Sequence, residues 1–285
     1  MTMFLLSQFK MTGKRSYAYF ECEDKDKDDN KKTKCITSIV YDSYIKDGDQ
    51  YGTGLFQFEN GAIYEGEFQK QKVHGNGRTM YSNGATYVGE FKNGKYDGKG
   101  EYVFASGAIY IGDFKDNKRE GKGYYKFASG NIYKGDFKDG KRTGSGELKY
   151  TDGEVYVGTF LNGMKHGRGM HLYSNVAMYI GGYKNNKYHG EGIMKYADGT
   201  IYTGEFKNNM CDGEGTMTYP DGDTYIGGFK NNMRHGKGIM KYINGDIYTG
   251  NFKENICEGN GKYIQKNVCL YEGIYTNGEP DDIRR

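Results

Sequence analysis

The sequence predicts an all-β fold, an elongated single-layer antiparallel meander of 23-residue β-hairpin repeats. Three observations carry that expectation. A Tyr-x-Gly-x-Phe/Tyr pentad begins at Tyr64, Tyr87, Tyr110, Tyr133, Tyr156, Tyr179, Tyr202, Tyr225, Tyr248 and Tyr271, always 23 residues apart. A fixed period of that length marks an array of like supersecondary units. Glycine is abundant, with 46 residues, which opposes helix throughout. The hydrophobic fraction of 36% is low for a thick core, yet 29 Tyr and 15 Phe are not what a disordered chain carries.

Taking the pentad tyrosine as position zero, glycine recurs at positions two, eleven, thirteen and twenty, and aromatic rings at zero, four and seventeen. Each repeat reads as two short strands. The first ends at position four and alternates, so that Ile109 and Ile111 point one way and Tyr110, Gly112 and Phe114 the other. The second covers positions eleven to seventeen, as in 190–196. Asn60-Gly61, Asn83-Gly84, Asp152-Gly153 and Asp198-Gly199 follow the second strand and predict tight hairpin turns, because both residue types tolerate positive φ. The structural core of the repeat is the trio exemplified by Tyr64, Gly66, Phe68; by Tyr87, Gly89, Phe91; and by Tyr202, Gly204, Phe206. A bare glycine leaves room for a ring to lie over the backbone.

In chain order, 1–40 forms an N-terminal extension with a charged linker expected to be mobile. Asp24, Asp26 and Asp28 imitate the start of a calcium loop, but Asp29 and Cys35 stand where its glycine and glutamate belong. The repeat array spans 41–275, with about ten clear repeats and a degenerate one at 41–63, where Ser43 and Ile45 replace the glycine and aromatic of the pentad. A tail follows at 276–285. The last pentad has no second strand before Arg285, which leaves an edge strand and predicts a homodimer through the C-terminal end.

A Tyr-x-Gly-x-Phe pentad followed by Gly-x-Gly at this period resembles the MORN (membrane occupation and recognition nexus) repeat, over about four-fifths of the chain. The chain departs from the pattern in having no Trp, where family members often carry one. The resemblance implies hairpins stacked into an extended, twisted trough, and a scaffolding role at axonemes, membrane junctions or cytoskeletal rings. Enzymatic relatives carry their activity in added domains, for which 1–40 and 276–285 leave no room, so no enzyme is expected.

Several function classes recede on composition. A net charge of +3 gives no call for nucleic acid. Five cysteines with no Cys-x-x-Cys point to the reducing cytoplasm. No apolar run approaches the ~20 residues of a membrane span, so any membrane contact is peripheral. Gly98-x-Gly100 and its equivalents lead into a strand rather than the helix that a dinucleotide fingerprint needs. His74, His166, His189 and His235 share position ten, and their roughly 10 Å spacing forbids a common metal ion. His171 stands alone, with no phased partner; no catalytic constellation, metal or cofactor is expected.

Two surfaces remain as contact candidates. Lys92, Lys115, Lys138, Lys184, Lys207 and Lys230 share position five, Lys95, Lys118 and Lys141 position eight, and Arg119 and Arg142 position nine. In-register stacking lines them along one edge. Interspersed acids such as Glu67, Glu90 and Asp113 favour a solvated edge, while contact with anionic phospholipids, phosphoinositides above all, is the alternative. The second surface is the Tyr and Phe face, a long groove with glycine gaps. The leading expectation is a non-enzymatic scaffold docking cytoskeletal or axonemal proteins in a ciliary or cytoskeletal assembly. The alternative is a peripheral membrane module.

Overall fold

A computed structural model describes residues 35–281. The charged linker with its three spaced aspartates lies outside the described residues. All-β architecture follows as expected, with twenty-two strands arranged as consecutive antiparallel hairpins in a single layer. The chain divides into two compact units, one ending at Lys141 and one starting at Arg142. The first opens with Cys35–Lys46 paired to Asp49–Phe58, and its next hairpins are Ile63–Gln69 with Lys72–Met80, Thr86–Lys92 with Lys95–Val103, and Ile109–Lys115 with Lys118–Lys126. In the second, the same grammar runs from Val155–Leu161 with Met164–Leu172 to Ile247–Lys253 with Ile256–Gln265.

The hairpins turn where the sequence reading did not place them. Strands reach position five and resume at position eight, and the two residues between are the tight turn. Asn93 and Gly94 have φ of 52° and 84°, Asn208 and Asn209 52° and 73°. Positive φ at both central residues is the twist-matched hairpin turn that Asn and Gly favour. The Asn-Gly and Asp-Gly pairs instead sit in wider loops. At 81–85, Tyr81 N–H donates to Ala85 O and Gly84 N–H to Tyr81 O, each at 2.9 Å, while Asn83 Oδ1 accepts from Ala85 N–H at 3.0 Å. The side chain thus closes the loop, and only Gly84 takes positive φ.

A bulge bends each repeat's hairpin from Ile63–Gln69 with Lys72–Met80 to Ile247–Lys253 with Ile256–Gln265. Between the pairs Gly89↔Gly100 and Phe91↔Tyr96, Glu90 stands alone opposite three residues. Gly98 absorbs the excess at φ 109°, and Glu90 Oε1 accepts the Lys99 N–H at 2.8 Å. Successive repeats are stitched at the turn tip. Asn232 donates its backbone N–H to Cys211 O at 2.9 Å and accepts the Cys211 N–H on Oδ1 at 2.7 Å. Asn117, Asn186, Asn209 and Asn255 hold the preceding repeat's position nine in the same way.

The core is one face of the layer. Tyr87 is fully buried, and its ring meets Phe91 edge-on at 5.0 Å and Phe114 of the next repeat at 5.2 Å. Its hydroxyl donates to Glu90 O at 2.9 Å, so the phenol leaves no orphan polar group. Beneath it lie Gly89 and Gly100. A Cβ on Gly100 would sit 2.5 Å from the Tyr87 hydroxyl and 2.6 Å from ring Cε2. Tyr202, Gly204 and Phe206 repeat the arrangement, with the ring 5.0 Å from Phe206 and 4.9 Å from Phe229.

Both ends depart from the repeat. Tyr41 takes position zero by count, but an irregularity between Val40 and Asp42 leaves it 41% exposed, and Val40 and Ser38 are buried instead. At the other end the expected absence of a second strand is corrected. Glu279–Pro280 pairs with Tyr275 and Thr276 across Asn277-Gly278, and among the described residues this two-residue stub is the only pairing on that side of Val268–Thr276.

Ring-over-glycine packing makes a direct prediction. Gly100→Ala lowers unfolding stability in urea by about 1–3 kcal/mol, as overpacking does. Tyr87→Phe, losing one hydrogen bond, lowers it by about 1 kcal/mol. The double variant is less impaired than the sum, because the hydroxyl is the nearest atom to the new methyl. Strict additivity would show that the clash lies elsewhere.

Candidate functional site

The ring face is not an open groove. Positions zero and four are buried in every repeat from Tyr64 to Phe252, consumed by packing on one another. The position-seventeen rings, such as Tyr81 and Tyr196, and the position-fifteen rings Tyr102, Tyr125 and Tyr263 remain half-buried. The Tyr and Phe rows expected to greet a partner therefore serve the fold.

Exposed apolar side chains gather on the opposite face. Positions one and fourteen face each other within a hairpin and between hairpins, so they form one row running across the strands. In the second unit that row reads Val157, Met170, Ile180, Ile193, Thr203, Thr216, Ile226, Ile239, Thr249, each paired with the next. Glu147 and Lys262 bound it. Ile180 and Ile193 are each 43% exposed. At ~4.8 Å per strand the strip is on the order of 40 Å long. Leu172, Met178 and Ile201 broaden it on one side through the pairs Leu172↔Met178 and Lys195↔Ile201. The corresponding row of the first unit is broken by Glu65, Arg78, Glu101 and Lys134.

The lysines flank the tight turns. Lys92 faces Lys95, Lys115 faces Lys118, and Lys184 faces Lys187. Like charges opposed across a turn repel, and in the first unit the turn residues Asp116 and Asp139 and the strand residue Asp97 relieve this. Lys95 Nζ lies 2.7 Å from Asp116, Lys115 3.2 Å from Asp97, and Lys118 2.7 Å from Asp139. Lys138 and Lys141 flank Asp139-Gly140 and are exposed. In the second unit Asn185, Asn208 and Asn231 take the aspartate's place beside the exposed Lys184, Lys207 and Lys230. Such surface pairs contribute at most about 1 kcal/mol each.

Position nine belongs to the other face. Arg119 and Arg142, grouped with the basic edge by spacing alone, turn onto the rings because position nine pairs with position four across the tight turn, as Arg119 does with Phe114. Arg119 stands 5.0 Å over Tyr125 and 5.4 Å over Phe137, and donates to Gly140 O. Arg142 lies 5.2 Å over Phe160 and donates to Gly163 O at 2.6 Å. Cation–π contact and a carbonyl acceptor hold each guanidinium inside the fold.

Lys165 takes the same place one repeat on, and it brings the supposedly solitary His171 into company. Lys165 Nζ is 3.5 Å from His171 Nδ1, and His171 Nε2 is 3.1 Å from Glu154 Oε2, without the alignment of a straight hydrogen bond. His171 is buried among Tyr150, Tyr156 and Tyr173. Burial and then the Lys165 charge push its pKa down to about 4; burial, against the pull of Glu154, brings Lys165 to about 8. The sequence signal was available. His171 is out of character for its repeat position, where Leu148, Met194 and Met240 stand in other repeats, whereas Lys165 and Glu154 have counterparts in Arg234 and Asp223. Among the described residues no group of three or more His, Cys, Asp or Glu side chains forms a metal site.

The sign of the His171 effect on stability is fixed. Its folded pKa is depressed, so the unfolded chain binds more protons between about pH 4 and the ordinary value near 6.5. Stability contributed by neutral His171 is present above that window and is lost as pH falls through it. Urea melts at steps between pH 7 and pH 4 will show His171→Leu losing less stability than wild type over this range; parallel slopes would refute the assignment.

The profile described as MORN repeat matches nine segments, 64–86, 87–109, 110–132, 133–155, 156–175, 179–201, 202–224, 225–247 and 248–267. No curated protein matches the chain. Among solved structures, the chain is similar to the G-box domain of the microcephaly protein CPAP, at 12% identity and TM-score 0.40 over 67% of this chain and 99% of that one. It is also similar to the SAS-4 (dCPAP) TCP domain of Drosophila melanogaster, solved with a proline-rich motif of Ana2 (dSTIL), at 17% identity and TM-score 0.34 over 54% and 85%. The TCP10 domain of Danio rerio CPAP shows 12% identity and TM-score 0.36 over 82% and 100%. Nine matches in phase with the tyrosine pentads, covering well over half of the chain, establish this protein as a member of the MORN-repeat family.

Proposed function

We propose that the protein is a non-enzymatic scaffold that docks protein partners through the apolar strip on the outer face of its second unit, in a cytoskeletal or ciliary assembly. The observation that carries the reading is the strip itself. A soluble sheet face ordinarily alternates polar outward, and contiguous exposed apolar surface marks a binding site. The partner it fits presents a flat apolar surface of its own. The cytoskeletal setting rests on what the family resemblance implies. The described residues contain no helix long and apolar enough to cross a membrane.

The test uses the full chain, tagged and expressed in cells. Ile180→Lys with Ile193→Glu places opposite charges directly across a strand pair, which spares the sheet while removing the apolar centre. Retention in the detergent-insoluble cytoskeletal fraction will fall at least about fivefold, the loss expected from truncating one central interface contact. Retention will survive Lys184→Glu with Lys207→Glu. The reverse outcome, with salt-sensitive flotation on phosphoinositide vesicles that the lysine variant abolishes, would instead establish the membrane reading.

We also infer a dimer through the C-terminal edge. Leu270 and Ile274 are exposed on a strand whose second side is paired only at Tyr275 and Thr276 among the described residues. Light scattering on the full chain will give a dimer mass, and on Leu270→Lys with Ile274→Lys a monomer mass. Equal masses would sink the inference.

A further inference from the structure

A line of charged side chains runs beside the apolar strip of the second unit, on the same face. Positions three and twelve carry it, two residues along each strand from positions one and fourteen, so alternation keeps all of them on one side of the sheet. Over the seven strands from Met164–Leu172 to Met233–Lys241 the line reads Arg168, Gly182, Glu191, Glu205, Glu214, Gly228, Lys237. It is joined by the pairs Arg168↔Gly182, Glu191↔Glu205 and Glu214↔Gly228. The strip from Met170 to Ile239 crosses the same strands.

The same positions in the first unit neutralise one another. Lys99 Nζ lies 2.7 Å from Asp113, and Lys122 Nζ 2.6 Å from Asp136. In the second unit Glu191 stands directly opposite Glu205, and like charges so placed destabilise a strand pair. Glu214 follows on the next strand. Arg168, Glu191, Glu205, Glu214 and Lys237 are all exposed, and among the described residues none of them forms an ion pair. Gly182 and Gly228 separate the acidic centre from one cation at each end. The free sheet thus carries a repulsion that a partner with central cations relieves, and the strip alongside requires that partner to be apolar beside those cations.

Spacing selects the form of the partner. At ~4.8 Å per strand the seven strands span on the order of 30 Å, which an α-helix covers in ~20 residues. The apolar stripe of a helix recurs every turn of ~5.4 Å, close to the strand spacing. An extended segment laid across the strands repeats its apolar side every ~6.6–6.8 Å and falls out of step within two or three strands.

We propose that the strip receives an amphipathic α-helix of a partner protein, lying across the strands with cations on one flank over Glu191, Glu205 and Glu214 and an acid near each end over Arg168 and Lys237. The proposal rests on the docking reading above and supplies its partner. One stripe of the helix is the apolar surface, and the flank charges fix the rotation of the helix about its own axis. The charge pattern reads the same from either end, so either helix direction satisfies it. An anionic lipid surface meets three glutamates at the centre of this face and is repelled. The whole chain carries a net charge of +3, so bulk attraction favours an acidic peptide, and a preference for central cations is a signature of this line alone.

The test titrates the full chain into a fluorescein-labelled synthetic helix of ~20 residues, with Leu on its stripe and, on one flank, three central Lys between two Glu. A second peptide exchanges Lys and Glu on that flank. Anisotropy is expected to show the first peptide binding about tenfold more tightly in about 0.05 M salt, the ratio falling below about threefold in about 0.5 M. Glu191→Gln with Glu214→Gln is expected to reduce the ratio in the same way at low salt, and Ile180→Lys with Ile193→Glu to abolish binding of both peptides. The peptides are compared on the wild-type chain, so the decision needs no variant to fold. Equal affinities for the two peptides overturn the proposal, as does failure of the first to bind; docking through the strip is then judged separately, by the cytoskeletal retention of the isoleucine variant. Failure to bind, together with a dimer that Ile180→Lys with Ile193→Glu converts to a monomer, assigns the strip to a second copy of the chain instead.

Discussion

The fold depends on one contact, a tyrosine ring lying across two glycines. A single-layer sheet has no second layer to cover it, so the hydrophobic core must be made from one face of the layer itself. Position-zero tyrosines supply that core. Each ring can remove ~150–250 Å² from water, worth on the order of 4–6 kcal/mol by area and an upper bound on the gain. Burial at that depth demands that nothing else occupy the ring's footprint. Gly89 and Gly100 are that vacancy under Tyr87, and a methyl on either would meet backbone or ring. The hydroxyl demands an acceptor, which the carbonyl three residues on provides from Tyr64 through Tyr271. An insertion between pentad and Gly-x-Gly would move ring and glycine apart, which is why the period stays at 23 without exception from Tyr64 to Tyr271.

Because one face is spent on the core, recognition falls to the other face and the two edges. There the repeats are free to differ, and they do. In the first unit the lateral row mixes Val and Ile with Glu, Arg and Lys, while in the second it runs uncharged from Val157 to Thr249. The turn edge varies in step. Asp116 and Asp139 neutralise lysines in the first unit, and asparagines stand there in the second. Position seven stitches successive repeats in both units, as Gly94 N–H donating to Val73 O and Asn209 N–H to Tyr188 O show.

Much of this was legible in the sequence, and the limits have a common cause. Period and alternation place Tyr202, Gly204 and Phe206 on one face without any coordinates, since strand geometry puts every second residue there. What defeats the same reasoning is the unplaced tight turn. With positions six and seven as the turn, position nine pairs with position four, as Arg119 does with Phe114, so it arrives on the rings rather than on the edge. The tight turn was missed because positions six and seven alternate between Asn-Gly or Asp-Gly, as at Asn93-Gly94 and Asp139-Gly140, and the weaker Asn-Asn or Asp-Asn, as at Asn208-Asn209, while the Asn-Gly and Asp-Gly pairs farther on close wider loops. The apolar strip is a property of register. Its members are 10 or 13 residues apart in sequence, as Ile180 is from Met170 and Ile193 from Ile180, and no strand alone shows it. Tyr41 fails for a local reason, an irregularity beside Val40 that turns it outward.

An array of this kind also localises the consequences of change. Each repeat contacts only its neighbours, so stability is close to a sum of repeat and interface contributions, and a polar substitution weakens the fold locally rather than everywhere. Position nine shows the range that results: Val73, Tyr96, Arg119, Lys165, Cys211 and Cys257 all occupy it. Two constraints hold it in place whatever the side chain, the backbone hydrogen bonds from the next turn and the ring of position four opposite. A side chain so placed is desolvated, held by the backbone and flanked by aromatic faces before any function is asked of it. Those are the conditions under which an amine or a thiol changes its chemistry. The pentads, which never vary, therefore make variation at position nine tolerable, and Lys165 with His171 and Glu154 is where that tolerance has been used most.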